Sequence, residues 1–359
     1  MATFGSIPAS SIGAGAKTAS PAVRQCFWLF SIAALVFAMV VVGGATRLTG
    51  SGLSITEWQP IMGALPPMSD AAWQDAFHKY QQIPQYQVLN KGMPLEAFKS
   101  IFWWEWSHRL LGRLLGAAFL LPLLAFIARG EIAGWLAVKL GGLFVLGGLQ
   151  GALGWYMVQS GLSQRTEVSQ YRLAAHLLLA SALLAALVWT AFDVGSTTHN
   201  RIRLQTHAAG AKWIGGAIVA LVLVQLGAGA LVAGLKAGLA YNTWPLMDGH
   251  FVPPGLTAMA PGWINAFENA ATVQFDHRAL AYLLAALIAW HTLRVMPTAD
   301  DEWIRRSAGT LLACLAVQIG LGIWTLLSFV PQHLALAHQA MAMLVLCAAV
   351  WHLHTLVRG

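Results

Sequence analysis

Long apolar stretches alternate with shorter polar segments along most of the chain. Eight of these stretches have about 20 residues, the length that an α-helix needs to cross the hydrocarbon core of a membrane. They cover residues 27–46, 106–128, 134–157, 172–193, 212–234, 276–296, 306–328 and 334–356. The pattern therefore predicts an all-α polytopic membrane protein with eight transmembrane helices.

The composition agrees with this prediction. Of the 359 residues, 57% are hydrophobic and only 10% are charged, whereas a soluble domain carries roughly 25% charged residues. The net charge of +7 is typical of basic cytoplasmic loops, so we expect membrane lipids and no nucleic acid as partners. Residues 1–26 begin with a segment rich in Ala, Ser and Gly and are predicted to form a disordered cytoplasmic tail.

The distribution of Lys and Arg predicts the orientation in the membrane. With the N-terminus inside, eleven of these residues fall in inner segments and seven in outer segments. Because cytoplasmic loops carry the excess of positive charge, both termini are expected in the cytoplasm. We therefore predict a multi-pass protein of the cell inner membrane. Its two long outer loops, 47–104 and 235–274, are expected to contain short interfacial helices.

The two halves of the chain share a pattern of residues. The matching pairs are Gly43 and Gly229, Gly52 and Gly238, Leu53 and Leu239, Trp58 and Trp244, His108 and His277, Arg109 and Arg278, Gln150 and Gln318, Gly154 and Gly322, His176 and His338, and Trp189 and Trp351. With four spans each, the copies have the same orientation and form a parallel repeat. We predict two pseudosymmetric four-helix bundles, 27–193 and 212–359, joined by a cytoplasmic linker, 194–211.

Four histidines occupy repeated positions near the outer ends of predicted helices. His108 and His176 lie at a similar depth, and His277 and His338 take the same places in the second half. Two imidazoles on facing helices can bind a planar metal macrocycle from both sides, and histidine is a standard ligand of haem iron. A single such histidine is more often a hydrogen-bonded interfacial residue. The repetition nevertheless favours one bis-histidine haem site in each half, near the outer face.

The halves differ three positions before the first histidine of each pair. Glu105 precedes His108 on the same helix face, whereas Gln274 stands at the matching position of the second half. A carboxylate there could accept a proton or stabilise positive charge on a substrate. The alternative is a carboxylate paired with Arg109 or Arg113. The difference suggests that one half performs chemistry and the other holds a redox cofactor.

Three arginines are candidates for contacts with haem propionates, because a guanidinium group binds carboxylates bidentately. Arg109 and Arg278 directly follow the first histidine of each half, and interfacial anchoring is their alternative role. Arg47 ends the first predicted helix and has no counterpart in the second half, where Ala233 aligns with it.

The sequence resembles the haem A synthase family, in the form shared by alphaproteobacteria and mitochondria. The residues that carry the resemblance are Gly43–Trp58 (GGATRLTGSGLSITEW), Trp103–Gly112 (WWEWSHRLLG), His176, Asp276–Arg278 and Ala337–Gln339. They span nearly all of the chain beyond the tail, and their combination is specific. Some members of the family carry a cysteine pair in an outer loop. This sequence has none, so no thiol–disulfide role is carried over.

Members of this family convert haem O to haem A, for terminal oxidase assembly, by oxidising one ring methyl group to a formyl group. The resemblance implies that haem O binds between His108 and His176, with Glu105 as the catalytic carboxylate. It also implies that a haem b cofactor, with its iron, binds between His277 and His338. The methyl group would be oxidised to an alcohol and then to a hydrate that loses water.

Two other functions compete with the enzyme. A dihaem cytochrome b-type electron-transfer protein also explains four histidines, but only the enzyme explains a carboxylate in one half alone. A haem or small-solute transporter would hold no tightly bound haem in the second half. For the enzyme we expect haem O synthase and an electron-transfer protein as partners. A homo-oligomer stays open, because small pairs such as Gly147 and Gly151 pack helices within a chain or between chains.

Overall fold

The computed structural model describes residues 20–196 and 210–358. Within these ranges the α-helices are α1 (Pro21–Leu48), α2 (Asp70–Gln81), α3 (Pro84–Val88), α4 (Leu95–Ala128), α5 (Gly134–Leu162), α6 (Gln170–Ser196), α7 (Ala211–Gly234), α8 (Asn265–Glu268), α9 (Ala270–Val295), α10 (Glu302–Leu327) and α11 (Gln332–Arg358). The described residues form no β-strand. The predicted tail and the predicted linker lie mostly outside the described residues.

Eight of these helices are long and apolar enough to cross a membrane, namely α1, α4, α5, α6, α7, α9, α10 and α11. The predicted all-α protein with eight spans is therefore confirmed for the part of the chain that the structure describes. Three helices, α1, α4 and α9, begin well before their apolar stretches. Helix α1 begins at Pro21, because Ser20 caps it by accepting a hydrogen bond from Val23 N at 3.4 Å. Helix α4 begins at Leu95, and its polar first turns lie outside the apolar stretch.

The membrane helices form two four-helix bundles with the same order of contacts. Helices α4 and α6 each pack against both α1 and α5, without an extensive interface with each other. Helices α9 and α11 pack in the same way against α7 and α10. The helices that carry paired histidines therefore stand diagonally across each bundle. Such matching contacts are what a parallel repeat predicts.

The two bundles are joined along one continuous apolar core. Helix α1 packs against α11, and α6 packs against both α7 and α11. Several polar contacts cross this interface, and in one of them Nε2 of Gln339 donates to the carbonyl oxygen of Val40 at 2.8 Å. The Gln339 amide also lies against Gly44, where an added methyl group would be 2.5 Å from its Oε1. Because Gln339 follows His338 and Gly44 follows Gly43, this contact connects the surroundings of the two candidate sites.

A small folded cap covers one end of the first bundle. Helices α2 and α3 and the outer end of α4 share buried aromatic residues, including Trp73, Phe77 and Tyr80. Gln85 accepts a hydrogen bond from the Tyr80 hydroxyl at 3.0 Å and donates to the carbonyl oxygen of Gly50 at 3.1 Å. The cap thus fixes the loop after α1. The loop 235–274 carries the short helix α8, so both long loops contain short helices, as predicted.

Candidate haem-binding sites

Each of the four repeated histidines packs against a glycine on a neighbouring helix. A methyl group added to these glycines would lie 2.8–3.2 Å from Cε1 of the imidazole ring. The pairs are Gly43 with His108, Gly154 with His176, Gly229 with His277 and Gly322 with His338. Atoms in a packed interior do not approach so closely without strain, so a larger side chain would displace the ring. All eight residues belong to the sequence repeat.

The imidazole rings have few partners within the protein. The four histidines are only half-buried, although they lie inside the bundles. The Nδ1 atoms of His108, His176 and His338 are buried and lack a hydrogen-bond partner among the described residues. Two imidazoles with unpartnered ring nitrogens, on helices that stand diagonally across one bundle, fit a planar macrocycle ligated from both sides.

Three of the four histidines also lie next to a glutamine amide nitrogen from the preceding membrane helix. The contacts are Gln150 with the His176 carbonyl oxygen (2.9 Å), Gln225 with the His277 carbonyl oxygen (3.0 Å) and Gln318 with His338 Nε2 (3.4 Å). Sequence analysis missed Gln225, because the matching residue of the first half is Met39. A polar residue within an otherwise apolar span is the signal that could have found it.

The carboxylate of Glu105 is 2% exposed and accepts three hydrogen bonds. Oε2 accepts from Ser54 Oγ and from the backbone N of Ile55, both at 2.8 Å. Oε1 accepts from Nη2 of Arg109 at 2.7 Å, so the predicted alternative of an ion pair with this arginine is present. A carboxylate offers about four acceptor positions. One position on Oε1 therefore stays available for another donor.

The second half holds the same loop position with a neutral amide. Nε2 of Gln274 donates to the carbonyl oxygen of Tyr241 at 2.9 Å. Tyr241 matches Ile55 at the repeat offset of 186, and Ala240 takes the place of Ser54. Holding this loop therefore requires no negative charge, since an uncharged side chain does so in the second half. The negative charge of Glu105 is therefore expected to serve a purpose other than holding the loop.

Arg109 and Arg278 both hold backbone carbonyl groups of the outer loops. The hydrogen bonds run from Arg109 to Glu57 O (2.9 Å) and Ile55 O (2.8 Å), and from Arg278 to Thr243 O (2.9 Å) and Tyr241 O (3.0 Å). The acceptors match one another at the offset of 186. Both guanidinium groups thus fix the loops above the histidines, and contacts with haem propionates stay a prediction.

Arg47 lies between the two bundles. Its Nη2 donates to the carbonyl oxygen of Ala233, the residue with which it aligns in the repeat. A contact between a residue and its own counterpart is expected close to an axis that relates two halves. This position supports the predicted parallel repeat, whereas a propionate contact of Arg47 stays a prediction.

A second histidine pair lies deeper on α9 and α11. His291 and His352 each follow the outer histidine of their helix by 14 positions, about 21 Å along the helix axis. Their Nε2 atoms are 2.9 Å apart, and Nδ1 of His352 is 2.9 Å from Ser307 Oγ. These rings bond directly to each other and leave no space for a macrocycle. Their contacts indicate a structural role for this pair.

Comparisons with known proteins identify relatives along nearly the whole chain. A family model described as cytochrome oxidase assembly protein matches residues 26–350. A haem A synthase of Parvibaculum lavamentivorans is 55% identical over 334 residues, which cover 92% of this chain and 94% of the relative. A haem A synthase of Azorhizobium caulinodans is 54% identical over 342 residues, with 95% and 96% covered. One of Nitrosospira multiformis is 51% identical over 338 residues, with 92% and 93% covered.

Proposed function

The chain belongs to the cytochrome oxidase assembly protein family, and from this premise we propose how its residues carry out the reaction of a haem A synthase. The enzyme is an oxidoreductase that converts haem O to haem A by oxidising a ring methyl group to a formyl group. The product serves the assembly of terminal oxidases. The candidate residues divide between a substrate site in the first half and a cofactor site in the second.

The substrate, haem O, binds between His108 and His176, and a haem b cofactor binds between His277 and His338. Both assignments are supported by the paired imidazoles and by the glycine that makes room for each ring. The observation that carries the division is the difference at one repeated position, where the first half has the carboxylate of Glu105.

Glu105 acts on the group that is being oxidised. It shares a helix face with His108, and three hydrogen bonds fix its orientation while one acceptor position stays free. Each two-electron oxidation, first of the methyl group to an alcohol and then to a hydrate, releases two protons when water supplies the oxygen atom and the electron-transfer partner takes the electrons. A fixed carboxylate can accept these protons or stabilise developing positive charge. Arg109 balances the negative charge of Glu105 when no proton is bound. A haem in the second half would supply one-electron redox chemistry.

The protein is placed in the cell inner membrane, with both termini in the cytoplasm and both haem sites near the outer face. The excess of Lys and Arg in the inner segments supports this orientation. The contacts of Glu105 and Arg109 with the loop after α1 support sites close to that face. Haem O synthase would supply the substrate, and an electron-transfer protein would accept the electrons.

The function is tested by extracting haems from cells that express the protein together with a source of haem O. The wild type is expected to yield a new haem A peak in chromatography. Glu105→Gln should keep haem bound but yield no haem A. Glu96→Gln is the matched control, because Glu96 lies on the same helix and is exposed; it should behave as the wild type.

Two results would contradict this proposal. Unchanged production of haem A by Glu105→Gln would remove the catalytic role of the carboxylate. Haem O that accumulates unchanged beside wild-type protein with bound haem b, in the presence of an electron partner, would favour the dihaem cytochrome instead.

A further inference from the structure

The two halves hold the first histidine of each pair differently. In the second half, Nε2 of Gln225 donates to the carbonyl oxygen of His277 at 3.0 Å and lies 3.1 Å from Nδ1 of its ring. The matching residue of the first half, at the offset of 186, is Met39. The end of the Met39 side chain packs against α4 near Gly112, where an added methyl group would be 3.2 Å from its Cε. A thioether donates no hydrogen bond, so Met39 cannot hold His108 in this way.

His108 is therefore the least constrained of the four candidate ligands. No hydrogen bond among the described residues reaches either nitrogen of its ring. Its partner His176 is tied by Gln150, which donates to the His176 carbonyl oxygen at 2.9 Å. The difference does not come from space, because Gly43 makes room for His108 as Gly229 does for His277.

We propose that the difference between Met39 in the first half and Gln225 in the second half determines which half releases its haem. The inference rests on the proposed function, in which the first half must admit haem O and discharge haem A in every cycle. The second half must keep its haem through many cycles. An amide that holds the backbone carbonyl group of a ligating histidine keeps this ligand in its binding position, whereas a ligand without that contact can move away from the iron. Gln225 is thus a positioning residue for the retained haem.

The chain offers a reciprocal pair of substitutions. Methionine and glutamine have similar lengths, so the amide in Met39→Gln should reach the backbone of His108. Gln225→Met removes the amide from His277 and preserves most of the side-chain volume. Met39→Leu is the matched control, since it changes neither hydrogen bonding nor apolar character. It also detects any direct ligation by the Met39 sulfur, which would change the absorption spectrum when lost.

The experiment measures the transfer of haem from each purified protein to excess apomyoglobin, followed by absorbance. Extraction of the myoglobin fraction identifies which haem has left. Partners that orient a ligand typically change metal affinity by about 10- to 100-fold. We expect the wild type to release haem O or haem A faster than haem b. Met39→Gln should slow the fast release by about tenfold, Gln225→Met should accelerate the release of haem b by about tenfold, and Met39→Leu should match the wild type.

Unchanged release of both haems, within about twofold, in Met39→Gln and Gln225→Met would overturn the inference. Loss of haem b from Gln225→Met during purification supports it when circular dichroism shows an intact helical fold. Met39→Gln removes no polar contact, so its slower release is the decisive result if Gln225→Met does not fold. Failure of the proposed function is detected by a separate measurement, because the wild-type protein would then make no haem A in the extraction experiment.

Discussion

The two bundles place histidines in the same way but surround them with different residues. Both press each imidazole ring against a helical glycine, and both hold the loop above it with an arginine. They differ where Glu105 stands opposite Gln274 and where Met39 stands opposite Gln225. We propose that the shared contacts allow each half to bind a planar ligand. In this proposal the differences determine what happens to that ligand, namely oxidation and release in one half and retention in the other.

The largest effect is expected from filling the space beside one ring. Gly43→Ala would put a methyl group 2.9 Å from Cε1 of His108, and Gly229→Ala would put one 3.2 Å from the ring of His277. Overpacking costs about 1–3 kcal/mol, which corresponds to at least about a fivefold loss of affinity. Gly43→Ala should lose the substrate haem and keep haem b, and Gly229→Ala should do the opposite, as measured by haem content after purification.

The control for these variants is Gly147→Ala on α5, because no atom of a neighbouring element lies within 4 Å of an added methyl group. It should retain both haems. If Gly43→Ala and Gly229→Ala also retained both haems in full, the rings would not depend on these glycines, and the shared part of the comparison would be wrong.

A smaller effect on the rate of haem A formation is expected when one residue of the first half is replaced by its counterpart from the second half. Ser54→Ala removes one hydrogen bond from Glu105, and the matching residue of the second half is already Ala240. One hydrogen bond to a charged group contributes about 1.5–3 kcal/mol, but Ile55 and Arg109 still hold the carboxylate. We expect roughly five- to tenfold slower formation of haem A with unchanged haem content.

Chromatography of extracted haems at several times measures this rate. The reverse variant, Ala240→Ser, should leave it unchanged, since the second half has no carboxylate for the new hydroxyl group to orient. A rate for Ser54→Ala equal to that of the wild type would mean that the orientation of Glu105 does not limit the reaction.

The apolar pattern alone was enough to predict the eight membrane helices. The pattern predicts a later start for α4 than the structure shows. The first turns of this helix, around Glu96 and Lys99, are polar and precede the apolar stretch. The four histidines were predicted to be a group because each has a counterpart in the other half. Residues at matching positions of a repeat can be found in a sequence without knowing how far apart they lie in the folded protein.

The contacts that distinguish the halves could not be predicted in the same way. The glycines matched in the repeat, but their contact with the imidazole rings depends on how the helices rotate against each other. The acceptors of Arg109 and Arg278 are backbone carbonyl groups, which every residue possesses and which leave no trace in a sequence. Gln225 has no identical counterpart in the first half, where Met39 aligns with it, so identity between the halves does not point to this residue.

The division of labour between the bundles is tested most directly by identifying the haem that remains when one ligand is removed. His108→Ala and His277→Ala would be purified from cells with a source of haem O, and their haems extracted and separated. We expect His108→Ala to contain haem b and neither haem O nor haem A, and His277→Ala to have lost haem b. Equal mixtures of haem O and haem b in both variants would contradict it.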